Sequence, residues 1–555
     1  MVSAATLNPK SRGWLRHLWR KATTPDDWSR AGEPHAWWDR YSFPPMLSYP
    51  RFDLSESSYA LLIMARKTPA WREAYVHILD EMIRRHTTWW AAVDWLTQIG
   101  PDPKRASYPK AYKGLIPKHL WGQYDVPGWT ANGVEPWGLQ PDPIGSPGNL
   151  FFRGWFNLLL AIHRDVSGTD TWDKPFEVTG LEDRTFSWTH GQINRFLSDQ
   201  WAEVWHGPHC ENTKVWPLCL SAAGLGLQLS DSTLGSAGHW VVDRWIEDFL
   251  KKTCMGFDPR GDLKWVGLYY DPQLDYVHGR NAVAGLFPAF YLLPQNRPFA
   301  EMLYRKAVAS VGWDKAWLPA ITPKGVPRAA TLGYLMAREF GDDTTARRLG
   351  RALDKMANGR FFNAGEGGEE DEFGYFFSFG EPYPRGQESA LLMLRDVAEP
   401  GDWYAAFDQL DAERHSAPTV EGVDFPRIGV SQAANDPADG VLTVQTYAAS
   451  RAAAGEPTRW RVTNLPDPQA VAVELDGRPF GDWRGLDDNT IEITCRNADQ
   501  TFRIRTGWSS SSPAVRAEAR PAPAARPRNA SVSVMEIITA RQAVTAGAAG
   551  CPCCA

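Results

Sequence analysis

The sequence has no surplus of positive charge. Its 59 Lys and Arg stand against 65 Asp and Glu, a formal net charge of −6, which removes the electrostatic basis for binding nucleic acid or an anionic membrane surface. It has no apolar run of the length a membrane span needs. The basic opening MVSAATLNPKSRGWLRHLWRK lacks the apolar stretch of a signal peptide, so a cytoplasmic location is expected. It has no cysteine framework either. Cys210, Cys219, Cys254 and Cys495 are scattered through the body, while Cys551, Cys553 and Cys554 crowd the last five residues; an odd number at irregular spacings predicts free thiols. No zinc-type spacing of cysteine and histidine occurs, so no metal or other cofactor is expected. No fixed-period repeat appears, which counts against a solenoid.

Aromatic residues are what the chain has in quantity: 27 Trp, 24 Phe and 17 Tyr. Such a set fills a large helical core, and it can also line an apolar or sugar-binding cavity. From about Ser55 to Leu410 apolar residues recur at intervals of three and four, as in SSYALLIMARK, AWREAYVHILDEMIRRH, NLFFRGWFNLLLAIHRDV and HWVVDRWIEDFLKK. Roughly a dozen helices are predicted, joined by loops rich in Gly, Pro and Trp. AVAGLFPAFYLL is apolar nearly all round, as a helix buried on both sides would be. The expected class is all-α: an α/α toroid of six inner and six outer helices over residues 1–415.

Near residue 418 the period changes to two. GVLTVQTYAAS, TRWRVTNL, NTIEITCR and TFRIRTGW alternate apolar with polar residues, predicting a small antiparallel β-sandwich-like domain over 416–508. Residues 509–555 begin as a Ser, Pro, Ala and Arg linker too poor in apolar residues to pack. One short helix follows, where Ser533 and Glu536 have capping-box spacing, and then the cysteine-rich AGCPCCA.

WHGPHCENTKVWPLCL carries the chemistry. Cys210 and Cys219 are nine positions apart, which on one straight helix would set them on opposite faces. Pro217 belongs in a first helical turn, so a helix starting near Thr213 is expected, with Cys210 in the loop before it and Cys219 in its second turn. Both thiols can then reach one cavity, with His206, His209 and Glu211 close enough to tune their proton affinity. Read from the residues alone, buried cysteines are commonly small apolar fillers.

GPHCENTKVWPLC resembles the linalool dehydratase/isomerase family, in which Cys-Glu, a nearby Asn, an aromatic and a second Cys occur in this order at the same interval. DPIGSPGNLFFRGWFNLLLAI resembles a helix of that family, with one extra residue between Ile144 and Asn149. LYYDPQLDYVHG and AATLGYLMAREFGDD have counterparts too, and the resemblance spans about residues 30–410. It implies a cofactor-independent hydro-lyase or isomerase acting on a small apolar alkenol or terpenoid alcohol, assembled as a homo-oligomer in which an aspartate from a neighbouring subunit completes the site. Carried over, the catalytic residues are Cys210, Cys219 and Asp39. Tyr59, Phe151, Trp155 and Trp216 would contact substrate, flanked by His209 and Glu211. The family's site histidine falls on Trp155 and a methionine on Phe151; Trp155 cannot exchange a proton, which points to a larger or differently shaped substrate. The competing expectation is a carbohydrate-active enzyme, a glycoside hydrolase or polysaccharide lyase. α/α toroids followed by a β-domain host such enzymes, and YDVPGWTANGVEPWG and GEGGEEDEFGYF suit sugar stacking and acidic catalysis.

Overall fold

The computed structural model describes residues 6–24, 50–88, 134–135, 138–139, 142–145, 150–180, 184–210, 214–272, 274–321, 327–361, 372–377 and 386–510. The helices, in chain order, are α1 (Pro9–Thr23), α2 (Pro50–Lys67), α3 (Glu73–His86), α4 (Leu150–Ser167), α5 (His190–Glu203) and α6 (Pro217–Leu234). After them come α7 (Trp240–Trp245, continued through a π-helical turn Ile246–Leu250), α8 (Leu286–Leu292), α9 (Arg297–Val311), α10 (Pro327–Glu339), α11 (Asp343–Met356), α12 (Gly386–Val397) and α13 (Asp402–Asp408).

The even-numbered helices α2, α4, α6, α8, α10 and α12 pack each against the next, and α12 packs back on α2. Others lie outside this cycle: α3 against α2 and α4, α5 against α4 and α6, α9 against α8, α11 against α10, and α1 against α12 and α3. The division follows from sequence pattern. α4 buries all but two of its 18 residues, and α8 is Leu-Phe-Pro-Ala-Phe-Tyr-Leu; neither has a polar face to give to water. α11, DTTARRLGRALDKM, buries only Thr345, Leu349, Ala352 and Leu353 along one stripe.

Small residues set the closest helix pair. A Cβ on Gly154 of α4 would stand 2.8 Å from the Cβ of Ala223 on α6, and one on Gly226 would stand 3.1 Å from the backbone nitrogen of Leu158. The two backbones meet because side chains are missing there.

The all-α class is corrected. Strands run through the helical region as well as after it. Among the described residues five two-stranded hairpins interrupt the helices, including β5 (Met255–Phe257) with β6 (Leu263–Val266) and β7 (Tyr269–Asp271) with β8 (Tyr276–His278). The C-terminal part folds as a four-stranded and a five-stranded antiparallel sheet. Hairpins in the inter-helix loops let buried loop backbone pair its own hydrogen-bonding groups, a need that helical periodicity does not reveal.

In the four-stranded sheet β11 (Thr419–Glu421) pairs with β14 (Pro457–Thr463), β14 with β18 (Thr490–Arg496), and β18 with β17 (Trp483–Asp487). The five-stranded sheet runs β12 (Ile428–Asp436), β13 (Val441–Ala448), β19 (Gln500–Arg505), β15 (Ala472–Leu475), β16 (Arg478–Pro479). Trp460 of the first meets Phe502 of the second edge-to-face at 5.2 Å. The sheets are stitched to the helices: Val420 N–H donates to Ala70 O at 2.7 Å, and Ala70 N–H donates to Ala433 O at 3.0 Å. Glu73 accepts the backbone N–H groups of Gly422 and Val423, each at 2.8 Å. From α1, Arg16 donates to Pro426 O at 2.7 Å and Trp14 Nε1 donates to Asp396 at 3.0 Å. Among the described residues no helix is long and apolar enough to cross a membrane.

Candidate active site

The helix carrying the second cysteine begins later than expected. Pro217 is the first residue of α6 and Trp216 its N-cap, in extended conformation. This suits proline, whose missing N–H costs nothing at that position. Thr213 lies outside the described residues. Val215 is held instead by Tyr270, the two exchanging backbone hydrogen bonds of 2.9 and 2.8 Å, and Cys210 N–H donates to Lys214 O at 2.7 Å. Leu150 N–H donates to His209 O at 2.8 Å, which ties Cys210 to the start of α4. Cys219 falls in the first turn of α6, where unpaired N–H groups favour negative charge.

This folding brings the Cys210 and Cys219 sulfurs to 3.2 Å, with the residues only 1 % and 3 % exposed. A disulfide would need about 2.05 Å; the observed separation is that of a thiol donating to its neighbour. Such a couple can give a proton from one sulfur and accept one at the other.

Aromatic residues line the helical interior in two groups. Phe151 stacks on Trp155 at 4.1 Å and Trp155 meets Tyr291 edge-on at 5.7 Å. Tyr59 contacts both Tyr291 and Trp403, at 6.1 and 5.3 Å. Beside α6, Trp216 lies over Tyr269 at 4.6 Å, and Tyr269 stacks on His278 at 4.5 Å.

A polar chain crosses this lining. Tyr59 donates its hydroxyl to Tyr291 at 3.4 Å, Tyr291 donates to Glu56 Oε1 at 2.9 Å, and Arg328 grips both Glu56 oxygens, one of them at 3.0 Å. Burial, reinforced by the Glu56 charge, pushes both phenols well above the ordinary tyrosine value, so both keep their protons. On the approach to Cys210, His206 and His209 stack at 5.0 Å. Burial first and then His209 depress His206 to about 3, leaving it neutral; its Nδ1–H donates to Gly207 O at 2.7 Å. Lys214 Nζ pairs with Asp271 at 3.1 Å, both side chains being essentially inaccessible.

Residues 120–367 match a family model described as linalool dehydratase/isomerase. That segment is similar to the linalool dehydratase/isomerase family. The match is shorter than the resemblance suggested. It contains Phe151, Trp155, His209, Cys210, Glu211, Trp216 and Cys219, whereas Asp39, Tyr59 and both large sheets lie outside it. No curated protein matches the chain. Among solved structures it is similar to a β-arabinofuranosidase of glycoside hydrolase family 127, with 10 % identity over 90 % of this chain and 79 % of that one and a TM-score of 0.23. A second structure, named as a glycoside hydrolase, has 12 % identity over 89 % of this chain and 72 % of that one and a TM-score of 0.16. Scores this low support no conclusion about fold or activity.

Within the segment similar to that family the structure brings Cys210 to Cys219 and Phe151 to Trp155. It joins Tyr59 to Trp155 through Tyr291, and sets Trp216 at the mouth of the helix bearing Cys219. His209 touches His206 through its ring and α4 through its carbonyl. Asp39 and Glu211 lie outside the described residues. Sequence reasoning missed Glu56, Tyr291, Arg328, Lys214 and Asp271. One signal was available: Glu56 precedes Tyr59 by three on α2, which puts a charge on the helix face of a candidate site residue. Among the described residues no three His, Cys, Asp or Glu side chains are grouped to hold a metal.

Proposed function

We propose that this protein is a cofactor-independent hydro-lyase or isomerase of an alkenol or isoprenoid alcohol, with Cys210 and Cys219 as its acid–base couple. The observation that carries the reading is the 3.2 Å approach of the two sulfurs inside a segment similar to the linalool dehydratase/isomerase family.

The couple starts with one shared proton. One thiol protonates the leaving hydroxyl, the C–O bond breaks, and water departs with the bonding pair. The allylic cation is faced by Phe151, Trp155 and Trp216, whose ring faces favour positive charge, or is captured as a thioether by the second sulfur. A thiolate then removes a proton from the adjacent carbon, whose C–H electrons become the alkene as they fill the cationic carbon or, from the thioether, as the C–S bond breaks and returns its pair to the second sulfur. One proton is given and one is received, so the couple regains its starting state by transfer between the sulfurs.

Tyr59 has a different part. Its own proton is committed to Tyr291 and, beyond that, to Glu56, so it offers a lone pair that orients the substrate hydroxyl. Asp39 of the partner subunit is assigned to the opposite side of that hydroxyl, in a homo-oligomer whose mass light scattering measures. His209 and Glu211 flank the thiols.

The test is incubation of the purified protein with a panel of terpenoid alcohols and analysis of the volatiles, repeated after thiol alkylation and with Cys210→Ala and Cys219→Ala. Dehydrated or isomerised products that vanish in all three treatments support the assignment. Full turnover by both variants removes the couple from the mechanism, and alkylation-resistant glycoside cleavage would move the protein to the carbohydrate-active enzymes.

A further inference from the structure

We propose that the buried Lys214–Asp271 ion pair is a positioning device for the cysteine couple, fixing the Lys214 carbonyl that holds Cys210 and setting the charge the two sulfurs face. The inference rests on reading Cys210 and Cys219 as the reacting pair.

The backbone contact to Cys210 and the ion pair are one construction. Lys214 lies between the cysteines in sequence, and its carbonyl takes the Cys210 N–H at 2.7 Å. The next residue, Val215, is bridged antiparallel to Tyr270, which makes Lys214 and Asp271 neighbours one step along the same register. Their side chains close that step at 3.1 Å with 1 % and 0 % exposure. Cys219 follows five residues after Lys214, in the first turn of α6. Any slip of this register would therefore move Cys210 against Cys219.

Stability alone does not call for such a pair. Taking two ions out of water costs several kcal/mol each, and a well-packed apolar pair is commonly as stable or more so. Two opposite charges carried on the residue whose carbonyl holds Cys210 and on its cross-strand neighbour offer an electrostatic influence that an apolar pair cannot. The other polar groups near the couple carry less. His206 is neutral and spends its Nδ1–H on Gly207. The Tyr270 hydroxyl is bonded to Asp275 at 2.9 Å, His278 is stacked on Tyr269, and Arg153 of α4 is bonded to Gln200. His209 stacks on His206, and Glu211 lies outside the described residues.

The experiment titrates the sulfurs without substrate. Thiolate ultraviolet absorbance is followed against pH in Lys214→Met, Asp271→Asn and Lys214→Arg, each as a difference from the same protein lacking both cysteines. Lys214→Met leaves a lone carboxylate and is expected to raise the thiol midpoint by about one pH unit; Asp271→Asn leaves a lone ammonium and is expected to lower it by about as much. Lys214→Arg keeps the pair and should titrate like the parent protein. A brace without electrostatic effect would shift both single variants in the same direction or neither, and either result overturns the proposal.

If circular dichroism shows a single variant unfolded, the uncharged double variant Lys214→Gln with Asp271→Asn replaces it. Turnover at least ten-fold lower with KM unchanged is then expected, and parental turnover with a parental midpoint overturns the proposal. Because the titration needs no substrate, it can succeed while the dehydratase reading fails. Conversely, Cys210→Ala can abolish turnover while the ion pair proves silent.

Discussion

The paired sheets and the ring of helices bury different things. Between β14, β18 and β19 the interior is Trp460, Val462, Ile491, Ile493, Phe502 and Ile504, all apolar save an indole nitrogen. Inside the helical region Glu56, Lys214 and Asp271 are as inaccessible as the leucines around them. A sheet core with only apolar contacts is cheap to build and silent in chemistry. Buried charges are costly; here Glu56 is bonded to Tyr291 within the aromatic group, and Lys214, paired with Asp271, accepts the Cys210 N–H at its carbonyl.

Five substitutions would break or sharpen that contrast. The largest effect is expected from the sulfurs: Cys210→Ala or Cys219→Ala should lower turnover by at least ~10³-fold while thermal unfolding shifts by only a few degrees. The reverse pattern belongs to the sheets. Trp460→Ala should cost about 3–5 kcal/mol in denaturant unfolding and leave the specific activity of the folded fraction unchanged. Loss of activity in proportion to folded protein would show that the sheets matter to the site only through stability.

Tyr291→Phe should fall between the two. It removes a donor from the buried Glu56 at a cost of about 1–3 kcal/mol and frees the proton of Tyr59. KM is expected to rise more than kcat falls, read from steady-state kinetics on the same preparation.

The smallest effect is on the acid limb of stability. Folded His206 accepts a proton only at about 3, whereas the unfolded residue does so near ~6.5. Across that window the unfolded state binds more protons, so stability falls as the pH drops. His206→Gln should flatten the slope of unfolding free energy against pH by up to about one proton; an unchanged slope would show that His206 is already open to water.

Much of this was legible in the sequence, for local reasons. Alternation in GVLTVQTYAAS, TRWRVTNL, NTIEITCR and TFRIRTGW coincides with β13, β14, β18 and β19, because each strand buries one face. The apolar runs of α4 and α8 mark helices enclosed on all sides. The cysteine interval pointed to a shared site. What escaped was non-local. Strands of three or four residues such as β5 to β8 are too short to show a period, so the class was read as all-α. The start of α6 was misplaced because Val215 is captured by Tyr270, 55 residues later. No spacing announces that Glu56 will meet Arg328 or Lys214 will meet Asp271, since each pair is made by the fold.

The contact of α4 with α6 has a practical meaning. With hydrogen in place of a methyl at Gly154 and Gly226, the helix bearing Phe151 and Trp155 is drawn as near as backbones permit to the helix bearing Cys219. An alanine at either position would act as a shim, prising these two helices apart. Their spacing is thus set by two missing carbon atoms, and changing it requires touching neither the thiols nor the rings.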